Sequence, residues 1–379
     1  MRKHESINHC LNRTMKLNRL CSILLWIAVL SSSPSRLVAG EKFDTNPKHQ
    51  LPRPDGKPAD TNKPVKVFLL MGQSNMVGMG EVSPETTPGT LEYLTRKAKR
   101  YPHLVDDQGN WTVRYDVRYV FVMQKGDGMQ VVRNEWLTVK PRTTFGPELQ
   151  FGHIMGYLLD EPVLLLKSCI GNRSLGWDLL PPGSERFTFE GRVYAGYKDT
   201  PPWWVEGQPK ATVNWYAGKQ YDDDVGNAKK VLSELGKFYP GARTYQIAGF
   251  VFWQGHKDQT PVYASRYEQN LVRFIKSLRK DFDAPNAPFV LGTIAFGGWK
   301  LAGPGLTIAN AQLAVSDPQK YPEFAGNVKT VEARDFWRES DVSPNKKQSH
   351  HYYRNAETFM EVGNALGWAM AELLGKAPR

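Results

Sequence analysis

Short apolar runs that alternate with longer segments of helical period constrain this chain more than any other feature. Val65-Lys66-Val67-Phe68-Leu69-Leu70-Met71, closed by Gly72, has the length and composition of a strand buried in a sheet. Comparable runs recur at 162–167, 248–253 and 288–294. Segments 148–159, 225–238 and 356–374 repeat their apolar residues at helical spacing. Over 263–282, Tyr267, Leu271, Phe274, Ile275, Leu278 and Phe282 share one helix face. Strands alternating with helices predict an α/β fold, a mainly parallel sheet covered on both faces. Chemistry in such a sheet gathers at the C-terminal strand ends. With 41% apolar residues, the chain can fill a substantial core.

Two stretches interrupt the alternation. Between 111 and 131, Val113, Tyr115, Val117, Tyr119 and Phe121 follow a period of two before Gly126-Asp127-Gly128, which predicts a β-hairpin insertion. The second, 177–224, is dense in Pro, Gly and aromatic residues, including Trp203, Trp204, Trp215 and Tyr216. Residues 41–64 read as an extended lead-in, and one domain is expected over 65–379.

The first 40 residues carry Arg13, Lys16 and Arg19, then an apolar run at 20–30, then small and polar residues up to Val38-Ala39-Gly40. That order reads as a secretory signal peptide. The run falls short of the ~20 apolar residues that a membrane-spanning helix needs, so cleavage after Gly40 and a membrane-free mature chain are expected, with an uncleaved anchor as the alternative. The expected location is the periplasm or the extracellular space. Cys21 stands at the start of the apolar run instead of after it, which argues against lipid modification. Cleavage leaves Cys169 as the only cysteine and so excludes an internal disulfide and a cysteine-based zinc site. The formal charge of +11 falls to +6 once the leader's six Lys/Arg and one acid are removed. The remaining basic residues are scattered, which argues against nucleic acid as a partner.

The first strand runs directly into Gly72-Gln73-Ser74-Asn75-Met76. A serine there stands at the C-terminal edge of the sheet, where it is either a nucleophile or a helix cap. The sequence is not a Gly-x-Ser-x-Gly elbow. Serine needs a base, and six histidines lie beyond the leader: His49, His103, His153, His256, His350 and His351. His49 and His103 fall in polar stretches and His153 inside a predicted helix. His256 follows a strand, and His350-His351 precede the last helix.

Gly72-Gln73-Ser74-Asn75-Met76, Phe145-Gly146-Pro147-Glu148, Lys167-Ser168-Cys169-Ile170-Gly171, Trp253-Gln254-Gly255 with Asp258, and His351-Tyr352-Tyr353-Arg354-Asn355-Ala356 occur in the order found in another group of sequences. In these blocks, over roughly 65–375, the chain resembles the sialate O-acetylesterase-like proteins of the SGNH hydrolase superfamily, which include carbohydrate esterase family six. The resemblance implies a three-layer α/β/α sandwich of flavodoxin-like kind, without metal or organic cofactor. It implies Ser74 as nucleophile, His351 as base, and an oxyanion hole from the Ser74 and Gly171 N–H groups with the Gln254 amide and Asn172. Each preorganised donor in such a hole is worth about 10²–10³ in rate. Gln73, Asn75, His256 and Trp177 are expected around the substrate.

The departures from the family concern the third catalytic group. Many SGNH enzymes carry an aspartate three residues before the histidine, where this chain has Gln348, and family six has a glutamate where this chain has His256. Asp258 is therefore expected to orient the histidine, with Asp335, Glu339 and Asp341 as alternatives. A Ser-His pair helped by a carbonyl would also serve. His256 or His350 could replace His351 as base.

The expected reaction is two-step deacetylation of an acetylated carbohydrate, with activity rising through the imidazole pKa of ~6.5. Aromatic residues in 177–221 either stack on sugar or close a core. The alternative functions are a non-catalytic carbohydrate-binding protein on the same fold and a lipid or aryl esterase.

Overall fold

In the computed structural model, which describes residues 50–376, the apolar run after Pro64 is strand β1 (Val65–Gly72). Its side chains alternate between two cores. Phe68 and Leu70 enter one, while Val65, Val67, Leu69 and Met71 enter the other. That two-residue period, with apolar residues on both sides, is what a central strand covered on both faces requires.

β1 is flanked by β6 (Val163–Ser168) and β10 (Tyr245–Trp253), and β11 (Phe289–Gly292) and β12 (Val328–Val331) continue beyond β10. All these pairings are parallel. Taken in chain order, these five strands lie 2-1-3-4-5 across the sheet, the flavodoxin-like order. The hairpin of β3 (Val113–Lys125) and β4 (Gly128–Thr138) docks on the outer side of β6, with β3 parallel to β6 and β4 antiparallel to β3. The insertion thus completes a seven-stranded sheet.

Helices α2 (Glu148–Leu158) and α7 (Ala356–Leu373) cover one face. α3 (Lys219–Ser233), α5 (Pro261–Asp281) and α6 (Gly303–Ala314) cover the other. The three-layer α/β/α expectation stands. α5 buries Tyr267, Leu271, Phe274, Ile275 and Leu278, as its periodicity demands. At roughly 1.5–3 kcal/mol per fully buried side chain, that stripe alone gives about 10 kcal/mol before entropy is subtracted. Pro261 in its first turn and Thr260 at its N-cap, accepting from the Tyr263 N–H at 3.4 Å, fix where it starts.

Three boundaries differ from the sequence reading. α3 begins at Lys219, and a separate turn, α4 (Leu235–Phe238), follows a break at Glu234. α6 escaped notice because Gly303-Pro304-Gly305 reads as loop and the helix has no contrasting polar stripe. β12 is only four residues long. Between residues 50 and 63 the chain forms no helix or strand, yet Leu51 is buried in the α2–α7 core, so the folded unit starts earlier than expected. The leader at 1–40 and the lead-in up to residue 49 lie outside the described residues. No helix among the described residues is long and apolar enough to cross a membrane.

Two small sheets complete the fold. β2 (Gly80–Glu81) pairs with β5 (Thr144–Phe145) beside the turn that carries Ser74. β7 (Phe187–Phe189), β8 (Arg192–Tyr194) and β9 (Trp203–Trp204) form an antiparallel sheet in the aromatic-rich stretch.

Candidate active site

Ser74 opens a single helical turn, α1 (Ser74–Val77), immediately after β1. Gly72 lets the strand approach its neighbour, because a Cβ there would lie 2.3 Å from the Trp253 carbonyl oxygen of β10. The loops after β1 and β10 meet where the strand order reverses, the place where open α/β sheets bind ligands.

Beneath the turn lies a buried ion pair, with Lys167 Nζ 2.6 Å from Glu148 Oε2. Lys167, near the end of β6, also donates to the Val77 carbonyl at 3.1 Å, while Glu148 Oε1 accepts the Gly146 N–H at 3.0 Å. The pair thus clamps the serine turn between β6 and the start of α2. The sequence held a signal for it in a lone lysine ending the run Val-Leu-Leu-Leu-Lys, but no functional role was read there.

His351 reaches the serine from the segment before α7. Its Nδ1 is 3.4 Å from Ser74 Oγ and 3.2 Å from Asn75 Oδ1. Asn75 Nδ2 donates to the His350 carbonyl at 3.2 Å, so one amide touches both histidines' segment and ring. To accept the serine proton, Nδ1 must be bare and the ring protonated on Nε2. Once the proton has moved, Nδ1–H faces the Asn75 oxygen, which can accept from it.

The backbone after His351 is unusual. Tyr352, Tyr353 and Arg354 have φ of 52°, 51° and 58°, three consecutive side-chain-bearing residues in the left-handed region. Tyr352 holds them there. It is fully buried, stacks on Trp253 at 5.1 Å and Phe296 at 4.9 Å between centroids, and its hydroxyl accepts the Ala295 N–H at 3.2 Å. Asn355 caps α7 by accepting the Glu357 N–H at 3.0 Å. The resemblance named Tyr352 only as part of a motif; its role as the seat of the histidine comes from the fold.

His256 and His350 neighbour the base. The His350 and His351 ring centroids are 4.2 Å apart, and His256 stands 5.6 Å from His350 and 5.1 Å from Phe296. Of the three, His351 is the one within hydrogen-bond reach of Ser74. Burial, then the neighbouring His350, His256 and Arg354, pull its pKa down to about 4. Burial and His350 also lower that of His256.

The expected acid lies elsewhere. Asp258 is fully buried, accepting Gly176 N–H at 2.7 Å, Leu175 N–H at 2.9 Å and Gln254 Nε2 at 2.6 Å, and is not brought to His351. Burial pushes its carboxyl up to about 6 against those three donors. Of the alternatives, Asp335 accepts from Trp299, Glu339 pairs with Lys300, and the carbonyl of Asp341 accepts from Lys346. None is bonded to the histidine.

The oxyanion expectation divides in two. Gly171 lies against the nucleophile, for a Cβ on it would be 3.4 Å from Ser74 Cβ. Gln254 is turned away, because its amide nitrogen is taken by Asp258 and by the Arg173 carbonyl at 2.9 Å, and its oxygen by the Tyr267 hydroxyl at 2.8 Å. Asn172 is exposed, and the contacts it makes are through its carbonyl, to Arg173 and Lys257. Gln254 and Asp258 therefore act as a staple that fastens the Gly171–Gly176 loop to the end of β10.

Two residues expected at the substrate are structural. Gln73 is buried, its oxygen 3.4 Å from both the Gly255 N–H and the Gln254 amide. Trp177 is partly buried and packs on the small core of Leu180, Ala195, Trp204 and Ala217, so at that position the aromatic side chain closes a core. Among the described residues no group of His, Cys, Asp or Glu side chains is arranged to hold a metal ion.

Residues 202–372 match the model of the family described as carbohydrate esterase, sialic acid-specific acetylesterase. The matched segment contains Gln254, Asp258 and His351, and Ser74 lies upstream of it. No curated relative matches the chain. A protein of Arabidopsis thaliana is similar at 18% identity and a TM-score of 0.47, over 81% of this chain and 98% of that one. A carbohydrate acetylesterase from Xanthomonas citri is similar at 14% and 0.45, over 81% and 56%, and NanS at 13% and 0.42, over 84% and 98%.

Proposed function

We propose that this chain is a carboxylic ester hydrolase, an exported serine esterase that removes O-acetyl groups from carbohydrate through an acetyl-enzyme, a reading supported by the family match over residues 202–372. The observation that carries the mechanism is Ser74 Oγ facing His351 Nδ1 at 3.4 Å, a resting distance that closes when substrate binds. Export rests on the leader-like order of residues 1–40.

Ser74 attacks the acetyl carbonyl while its proton passes to His351 Nδ1. The Nδ1–H of the imidazolium so formed can donate to the Asn75 side-chain oxygen, which lies at 3.2 Å. The developing oxyanion is met by the backbone N–H groups of Ser74 and Gly171. His351 then gives the proton to the departing sugar oxygen as its bond to the acetyl carbon breaks; water, deprotonated by the same nitrogen, attacks the acetyl-enzyme, and acetate leaves as that proton returns to Ser74 Oγ.

The test is acetate release from a chromogenic acetyl ester and from acetylated xylose by wild type and Ser74→Ala. A drop of roughly 10⁴-fold or more in kcat with fold intact supports the nucleophile. Hydrolysis that survives in the variant would overturn it.

A further inference from the structure

Trp299 is the most exposed large apolar side chain among the described residues, at 62%. It is also among the most firmly held. Its Nε1–H donates to Asp335 Oδ1 at 2.6 Å, and the guanidinium of Arg334 lies 4.2 Å above the ring centroid. Arg334 is itself gripped by both oxygens of Glu332, at 2.9 and 2.6 Å. The indole is thus pinned at its edge and covered on one side, while much of the ring remains open to solvent. Below it, Gly297 and Gly298 turn at φ of 79° and 60°, and a Cβ on Gly298 would lie 3.3 Å from the Trp337 side chain and the Arg334 carbonyl.

The place matters as much as the bracing. Trp299 follows β11 and Arg334 and Asp335 follow β12, so all three lie on the C-terminal edge that carries Ser74. Phe296, three residues before Trp299, touches both His256 and Tyr352. Three residues span at most about 11 Å, which keeps the indole within the reach of a short oligosaccharide whose acetyl group lies at Ser74.

We infer that the open face of Trp299 is a stacking platform for a sugar ring of the substrate beyond the one that carries the acetyl ester. A flat, immobilised aromatic face gives apolar contact to the C–H side of a pyranose at little entropic cost. The inference rests on the carbohydrate reading of the site. The other exposed tryptophan, Trp203, also carries an arginine, Arg192 at 4.1 Å, but belongs to the small sheet and not to the loops after β11 and β12.

The experiment compares wild type, Trp299→Ala, Trp299→Phe and Trp203→Ala on a chromogenic acetate and on acetylated xylo-oligosaccharides. In Trp299→Ala, KM for the oligosaccharide rises about tenfold with kcat nearly unchanged, the signature of lost uniform binding. The small ester is hydrolysed as before, Trp299→Phe recovers most of the loss, and Trp203→Ala behaves as wild type. Equal losses on both substrates, no loss on either, or a loss that follows Trp203 would overturn the platform. Should wild type hydrolyse neither ester, the proposed function fails. The platform is then decided by fluorescence titration with unacetylated xylo-oligosaccharide, whose binding Trp299→Ala must weaken.

Discussion

The two segments that flank Ser74 are held by opposite means. On one side, the loop from Gly171 to Asp178 is fastened by buried carboxylates, with Asp258 taking two of its N–H groups and Asp178 taking the Ser174 N–H and hydroxyl. On the other, the segment carrying His351 is seated by the aromatic stack of Trp253, Tyr352 and Phe296, and no carboxylate is bonded to the histidine. The difference separates two tasks. Negative charge fixes the backbone of the loop proposed to meet the oxyanion, and no carboxylate offsets the burial and neighbouring histidines that lower the pKa of His351.

The largest effect should come from the charge pair under the serine turn. Lys167→Met leaves Glu148 buried without its cation and should cost about 3–5 kcal/mol in denaturant unfolding. Lys167→Met combined with Glu148→Leu should recover part of that, and a double variant no better than the single would show that charge is not what holds the turn. Next, Asp258→Asn replaces one acceptor with a donor facing an N–H. A loss of about 1–3 kcal/mol is expected, together with a fall in kcat that reports a displaced Gly171. Full activity in a folded Asp258→Asn protein would break the contrast on the polar side.

The aromatic side is tested by pH. His351 must be neutral to accept a proton, so kcat/KM on a small ester should rise through about 4, not through the ~6.5 of a free imidazole. The sign for stability is the same, because a pKa lowered in the fold favours it above the unfolded value, an advantage lost as pH falls toward 4. His350→Gln removes a neighbour that depresses the base and should move the limb upward, the smallest of these effects. A wild-type limb at ~6.5 would mean that burial and the neighbouring charges do not depress the base.

Much of this was legible in the sequence. β1, β6, β10 and β11 stand where apolar runs placed them, and α5 and α7 where their periodicity did, because burial on a fixed repeat writes itself into residue order. Ser74 and His351 were found through motifs at strand and helix edges. Gln254 and Asp258 were misread because spacing shows that two side chains are near but not which way they face. The direction of Asp258 is set by Leu175 and Gly176, more than 80 residues away in the chain, and that of Gln254 by Asp258, Arg173 and Tyr267. Tyr352 was opaque for the same reason, since its partners come from the loops after two different strands.

The left-handed run behind His351 has a consequence for durability. Residues in that region cost about 1–3 kcal/mol each unless their surroundings insist on them, and here the insistence comes from the packing of Tyr352, the contact of Trp337 with Tyr353 and the pairing of Arg354 with Glu81. A segment loaded in this way opens at a lower free energy than the sheet it leans on. On warming, the segment carrying His351 should loosen before the seven strands unpair, and esterase activity followed beside far-UV dichroism should therefore fade first.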